Sequence, residues 1–359
     1  MPENSKTKTR FQILCLSGGG FKGLYTAQVL ARIEEKLEGT RIGDHFDLIS
    51  GTSIGGIIAA AISLRIPMQN VVAAFQEHGP KIFTNCSKFR TSPIRWGRTK
   101  SAAFYNLLRN RASYDPTNLK EAIEAILGSS SIKVGDVERP LLIPAINMST
   151  GRIKVFKSPY HLNWTEDQKL PLIDVLLSTS AAPTYFPLHS TAIGQMTDGG
   201  LFANAPDLLC LHEFEKFIYP TIADSSFQNS TSLENTDLRV LSIGTTESNY
   251  SKPLSMPTNA GLGSWMVGVK KKLLLLETLM GAQEQLATQI LLHRLGDAKY
   301  VRLNQQNSSN ISLDDATLEA QELLCALAHT TANNAIDTIE REFLGHQATF
   351  QNNRKGYQT

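Results

Sequence analysis

The chain has 359 residues, 35 Lys and Arg against 33 Asp and Glu for a net charge of +2, and 42% hydrophobic residues. That length can bury a sizeable core in one large domain or two smaller ones, and the near-neutral balance excludes a polyanion-binding role written into the total charge. Cys15, Cys86, Cys210 and Cys325 stand far apart with no C-x-x-C pair, so neither a zinc knuckle nor a disulfide framework is indicated, and reduced thiols in a cytoplasm fit.

Residues 1–10 are polar and basic with no apolar centre, so they do not form a secretory signal; they read as a disordered lead-in. Residues 11–16 (Phe-Gln-Ile-Leu-Cys-Leu) form a short buried strand, followed by the loop Ser17-Gly18-Gly19-Gly20-Phe21-Lys22-Gly23. Residues 24–38 carry Leu30, Ile33 and Leu37 at helical spacing. Residues 46–49 are a second strand. Gly51-Thr52-Ser53-Ile54-Gly55 then fits G-x-S-x-G, the pattern of a nucleophile held on a sharp strand-to-helix turn. Serine in such a turn sits in strained backbone, and small neighbours let the turn close. Residues 57–62 are apolar nearly all round and predict a buried helix whose N-terminal dipole favours negative charge beside Ser53. Strand, glycine loop, helix, strand, glycine turn, helix is the order of a parallel sheet with helices on its faces. The longest apolar stretch, 54–64, is shorter than the ~20 residues a bilayer span needs, so a soluble protein is expected.

A helix is expected over 68–79. Between Glu77 and Asp115 no acidic residue occurs, while Lys81, Lys88, Arg90, Arg95, Arg98, Lys100, Arg109 and Arg111 interleave with Phe83, Phe89, Trp96, Phe104 and Tyr105. Further on, the pattern predicts a helix over 118–127, strands at 141–147 and 153–156, and a helix over 172–180. Next come the turn Asp198-Gly199-Gly200 and a helix over 206–217. A polar surface loop at 223–236 precedes a strand at 238–243, a glycine-rich hinge at 261–268 and a long helix over 270–295. A short strand at 300–303 and a last helix within 314–343 complete the order, and 352–359 is expected to fray. No internal repeat is visible.

A serine hydroxyl needs a base to become a nucleophile. His161, His189, His212, His293, His329 and His346 follow Ser53, but none lies in a small-residue loop context; His189, in Pro187-Leu188-His189, is the best placed. Asp198 stands at the end of a strand-like run, where sheets of this class bind ligands. A partly desolvated carboxylate there can serve as base, although an Asp-Gly turn held by its own side chain accounts for the same residues. Gly18, Gly19 and Gly20 let backbone N–H groups approach a developing oxyanion, and Lys22 adds positive charge nearby. The same loop also spells G-x-G-x-x-G at Gly18, Gly20 and Gly23. Asp44 and Asp47 lie near the place of a ribose-binding acid, so a dinucleotide-binding protein, dehydrogenase-like or non-catalytic, is the alternative. The loop alone does not choose between them. A second glycine elbow with a serine at its apex has no use in a dehydrogenase.

Taken in order, Gly18-Gly19-Gly20-Phe21-Lys22-Gly23, Gly51-Thr52-Ser53-Ile54-Gly55, Ser178-Thr179-Ser180-Ala181-Ala182-Pro183-Thr184-Tyr185-Phe186-Pro187 and Asp198-Gly199-Gly200 resemble the patatin-like phospholipase family. The resemblance covers about residues 11–207. It implies a three-layer α/β/α sandwich with a mostly parallel central sheet and C-terminal helical additions. Residues 208–345 would pack on the 11–207 catalytic core, and 346–359 would form a flexible tail. It implies acyl-ester hydrolysis by a Ser-Asp dyad, with Ser53 as nucleophile, Asp198 as base and Gly18, Gly19 and Gly20 as oxyanion hole. Lys22, Gly23, Gly51, Gly55, Gly199 and Gly200 support the motifs, and no metal or organic cofactor is needed. Residues 16–24 and 198–206, with the overall size, are further similar to the stand-alone bacterial patatin-like effectors of CBASS antiphage systems. In that group a cyclic dinucleotide such as cyclic GMP-AMP switches on degradation of the cell's own inner membrane.

That resemblance implies a cytoplasmic homo-oligomer acting on phospholipid at the inner face of the inner membrane, with no DNA or RNA polymer as partner. The basic-aromatic segment 81–111 then has three readings: a solvated cationic surface, a membrane-facing lid, or an activator pocket in which arginines hold phosphate and stack on bases. Arg95 and Arg98, flanking Trp96, are the preferred phosphate contacts. Residues 261–295, with Lys270-Lys271-Lys272 ahead of four leucines, read first as a buried C-terminal helix and second as a membrane-surface or oligomer contact.

Overall fold

The computed structural model describes residues 8–83, 112–222, 236–247, 274–306 and 311–353. Among the described residues the strands are β1 (Thr9–Leu16), β2 (Leu48–Gly51), β3 (Leu141–Asn147), β4 (Arg152–Lys157), β5 (His189–Thr191), β6 (Gly194–Asp198), β7 (Thr236–Ile243) and β8 (Tyr300–Leu303). The main helices are α1 (Gly23–Glu34), α2 (Ile54–Ser63), α3 (Met68–Ile82), α4 (Pro116–Leu127), α5 (Leu172–Thr179), α6 (Asp207–Glu213), α7 (Leu274–Leu295) and α8 (Leu318–Ile339). The strands form one sheet paired in the order β5-β6-β3-β2-β1-β7-β8, with β4 also on β3. The pairs β2–β1, β1–β7, β7–β8 and β2–β3 are parallel; those around β4, β5 and β6 are antiparallel.

The two-residue period of β1 explains why both faces of the sheet are covered. Leu14 and Leu16 enter one apolar cluster with residues of α1, α2, α3, α4, α5 and α8. Phe11, Ile13 and Cys15 enter the other with residues of α6, the turn after it, and Leu291 of α7. A strand buried on both faces reads as a near-continuous apolar run, which is what residues 11–16 show. The result is the expected three layers around a mostly parallel sheet. All ten residues of α2 are buried, as its uninterrupted apolar sequence predicted.

Several boundaries differ from expectation for local reasons. Strand β1 begins at Thr9, inside the expected lead-in, because Arg10 Nε reaches Asp237 Oδ2 on β7 at 3.0 Å. The helix expected over 206–217 ends at Glu213 and passes into a π-turn, Phe214–Ile218. Helix α8 starts four residues later than 314 because Thr317 caps it, its Oγ1 accepting from the Ala320 N–H at 3.3 Å. Most of the basic-aromatic segment with Arg95 and Arg98, the polar loop, the glycine-rich 261–268, Lys270-Lys271-Lys272 and the extreme tail lie outside the described residues.

Strand β3 positions the site. Strand β4 runs along one of its edges from Leu142 to Asn147. The other edge is shared end to end: β2 pairs at Leu141 and Leu142, and β6 pairs at 145–147. Asp198, opposite Ala145, therefore arrives three residues, about 10 Å by strand rise, beyond the level of Ser50. Ser53 lies three residues beyond Ser50 along its own chain.

Candidate active site

Ser53 sits between β2 and α2 with φ 53° and ψ −125°. For a residue with a Cβ this is strained backbone, of order 1–3 kcal/mol, and it persists only where the surroundings over-determine it. They do so here through close packing at two glycines. A Cβ on Gly51 would overlap the Gly55 carbonyl, and one on Gly55 would overlap the carbonyls of Leu16 and Ser17. The Ser53 N–H donates to Thr179 Oγ1 at 3.0 Å, and that hydroxyl donates to Pro144 O at 2.6 Å. The Thr52 N–H donates to Leu16 O at 3.1 Å, and its hydroxyl to Ala203 O at 2.6 Å.

Asp198 closes the site from β6. Its N–H donates to Ala181 O at 3.1 Å, and its Oδ1 accepts from the Gly200 N–H at 2.7 Å. Burial pushes its carboxyl up to about 6, against the partial relief of that N–H and of a hydrogen bond from the Ser53 hydroxyl. The Ser53 hydroxyl is thus among the groups that favour the charged carboxylate, which has the raised pKa of a desolvated base. Turnover that needs the ionised form should fall with a slope of one below an apparent pKa of about 6 and stay level above it. A pH profile of kcat/KM on a water-soluble ester checks this; a profile flat through that range contradicts it.

Ser53 and Asp198 open into a cavity that Gly19 and Gly20 also line. Its walls are apolar: Phe21, Ile57, Phe75, Phe83, Leu119, Phe186, Leu276 and Met280 among others. Such a lining suits an apolar ligand and leaves few polar groups to be desolvated. Among the three loop glycines the roles separate. The Gly18 N–H is spent on Asn204 O at 3.0 Å, and Gly18 O accepts from Thr245 Oγ1 at 2.9 Å and Asn204 Nδ2 at 3.3 Å. Gly18 therefore anchors the loop, and Gly19 and Gly20 border the cavity. Lys22 lies on the other side of this loop, in a polar cleft with Thr246, Glu247 and Glu284; its Nζ donates to Thr246 O at 3.4 Å.

His189 does not join Ser53. Its Nε2 lies 3.1 Å from Asp174 Oδ1, so the best-placed histidine has a different partner. Nor do Asp44 and Asp47 meet the glycine loop. Both precede β2, whereas the loop follows the far end of β1. Asp47 Oδ2 accepts from the Gln12 N–H at 2.9 Å, four residues or about 13 Å back along the strand from Leu16. Asp44 pairs with Arg65 and Arg139. A ribose-binding acid belongs at the same end of the sheet as the loop, so the dinucleotide-binding geometry is absent.

Four further residues contribute; Thr179 and Asn204 fall in the family-like segments 178–187 and 198–206 without a role being assigned to them there, and Gln283 and Glu284 carry no local signal. Thr179 orients the elbow from α5. Asn204 bonds Gly18 through both backbone and side chain. From α7, Glu284 accepts from Asn204 Nδ2 at 2.5 Å and from Arg302 Nη2 at 2.9 Å, and that nitrogen also donates to Ser17 Oγ at 3.2 Å. Gln283 Nε2 donates to Leu201 O at 2.6 Å. Helix α7 is thereby tied to the turn after Asp198 and to the start of the glycine loop.

The family described as patatin-like phospholipase matches residues 14–209. A protein of Pseudomonas aeruginosa named cGAMP-activated phospholipase is 34% identical over 345 residues, covering 94% of this chain and 93% of that protein. Proteins of the same name from Vibrio cholerae and Escherichia coli are 34% and 32% identical, covering 88% and 91% of this chain and 88% and 90% of their own lengths.

Proposed function

Because the chain belongs to the patatin-like phospholipase family, we propose that it hydrolyses membrane phospholipid with a Ser53–Asp198 dyad, under the control of a cyclic dinucleotide. One observation carries the catalytic part. A serine in strained backbone and a buried carboxylate of raised pKa, whose charged form that serine favours, line one apolar cavity together.

The geometry supports the following sequence. The acyl chain lies in the cavity and presents its ester carbonyl to Ser53 Oγ. Asp198 accepts the hydroxyl proton as Oγ bonds to the carbonyl carbon. Backbone N–H groups at Gly19 and Gly20 receive the oxyanion, a stabilisation of roughly 3–4 kcal/mol per donor in comparable sites. Collapse breaks the bond to the lysolipid oxygen, which leaves with the proton from Asp198. Water then attacks the acyl-enzyme, giving its proton to Asp198, and the fatty acid departs as Oγ recovers that proton. The chemistry as drawn calls for no metal.

Regulation is the second part of the proposal. Similarity to the cGAMP-activated phospholipases runs along nearly the whole chain, not the hydrolase core alone. A phospholipase left active beside its own membrane would destroy it, so a resting state of low activity fits antiphage membrane degradation. Cyclic GMP-AMP is the preferred activator, acting by altered subunit packing in a homo-oligomer. Differential affinity of about 5.5 kcal/mol for the open state would carry a nearly all-off population to nearly all-on. Arg95 and Arg98 are the proposed phosphate contacts. Adding cyclic GMP-AMP should raise fatty-acid release from phospholipid vesicles, and Arg95→Ala and Arg98→Ala should each weaken nucleotide binding measured by calorimetry. Undiminished binding in both variants moves the activator site elsewhere. No response to any of a panel of cyclic dinucleotides overturns the regulatory part and leaves the hydrolase intact.

A further inference from the structure

Helix α7 is apolar on the side where a surface helix carries charge. Its buried residues are Ala287 and Leu291, and Leu276 and Met280 on its inner side form part of the cavity wall. On its outer side Leu275, Leu279 and Leu286 are 43%, 43% and 55% exposed. At 3.6 residues per turn these three fall within about 40° of one another, and from 275 to 292 the helix runs about 26 Å. The remaining exposed positions in that span are Thr278, Ala282, Gln285, Gln289 and Leu292, so no exposed residue in it is charged. Glu277 and Glu284 are turned partly inward, and His293 and Arg294 follow at the end. A globular protein's surface helix normally puts charged and polar residues outward; the leucine stripe from Leu275 to Leu286, about 16 Å long, instead leaves an uncharged apolar face open to a partner.

We propose that α7 is the helix on which the enzyme lies against a lipid bilayer, its Leu275–Leu279–Leu286 face set into the acyl boundary. The proposal rests on the lipid-hydrolase reading, because the bilayer is chosen as occupant by what the same helix does on its other side. Leu276 is adjacent to Leu275, and Met280 to Leu279. A lipid leaving the bilayer along this helix therefore passes from outer leucines to cavity wall without crossing a charged side chain. An uncharged leucine face suits the plane of an interface. Docking here also bears on chemistry, since Gln283 and Glu284 join the helix to the turn after Asp198 and to the glycine loop.

The test separates binding from hydrolysis. Flotation with phosphatidylethanolamine–phosphatidylglycerol vesicles is measured in a Ser53→Ala background with cyclic GMP-AMP present, so that no lipid is consumed. Adding Leu279→Glu and Leu286→Glu should weaken vesicle binding by about a hundredfold. In the Ser53 background the same pair should leave turnover of a monomeric water-soluble ester within about twofold, since neither residue lines the cavity. Leu279→Trp, which keeps the face apolar, should shift its emission to the blue and be quenched by brominated lipid. Unchanged flotation of the double variant, no flotation of its parent, or an unquenched signal from the introduced tryptophan overturns the proposal. So does a change in mass by light scattering with flotation unchanged, which would assign the face to a second copy of the chain. If instead vesicles bind through α7 but release no fatty acid from the Ser53 enzyme, the docking stands and the hydrolase reading fails.

Discussion

Replacing Ser53 by Ala, or Asp198 by Asn, should lower ester turnover by about 10⁴-fold or more, and the double variant should be little worse than either single one. The two groups act on one proton, so removing either removes the whole unit. His189→Ala should stay near the parent rate, because its ring is engaged with Asp174 and not with Ser53. The Asp198 variant carries its own check that the fold survives. Burial holds this carboxyl at about 6 against an ordinary 3.8. Stability is therefore lost as pH rises from the unfolded value through about 6, where the folded state must ionise a buried group. Above that pH, Asp198→Asn should stabilise the fold, by at most about 3 kcal/mol. An inactive variant with a raised Tm at neutral pH fits a base kept at a cost to stability. An inactive variant with a lowered Tm would show that Asp198 is chiefly structural.

Gly51→Ala should destabilise the protein by about 3 kcal/mol or more. The added Cβ would meet the Gly55 carbonyl, which is the backbone of the elbow itself and cannot turn aside like a flexible side chain. Gly281→Ala gives the contrast. That glycine lies inside α7 with nothing within 4 Å of an added Cβ, so the change should stabilise by about 1 kcal/mol through helix propensity. Urea unfolding of the two variants reads both signs. Equal small losses would mean that the elbow can relax, and that the strain at Ser53 is not imposed by its surroundings.

Ser53 was legible in the sequence because a strained turn forces small residues around it, and that leaves a pattern within five positions. The alternation of β1 and the apolar run of α2 were legible for the same kind of reason, since each follows from local burial. Asp198 was ambiguous. An Asp-Gly turn looks the same with or without a serine across from it, and what brings the two together is the sharing of one edge of β3 by β2 and β6. No local pattern encodes that. Thr179, Asn204 and Glu284 act over separations of 126, 186 and 80 residues; the first two stand in family-like segments, but their roles are set by partners that no local pattern encodes. Asp44 and Asp47 misled in the opposite way: their spacing from the loop fits a ribose acid, but they precede β2 and so fall at the wrong end of the sheet. For α7 the leucine run favoured a buried helix. Polar and apolar residues alternate all round this helix, so periodicity does not show which face is covered, and here the covered part is the inner side, around Ala287 and Leu291.

A Ser53 nucleophile must carry the acyl group during lipid hydrolysis. Peptide mass spectrometry of the enzyme quenched during turnover of phospholipid, with cyclic GMP-AMP present, tests it most directly. The predicted result is an acyl mass on the peptide containing Ser53, absent from Ser53→Ala, together with free fatty acid and lysolipid in the supernatant. Fatty acid released at an undiminished rate by Ser53→Ala, or an acyl mass confined to a different residue, would contradict the account.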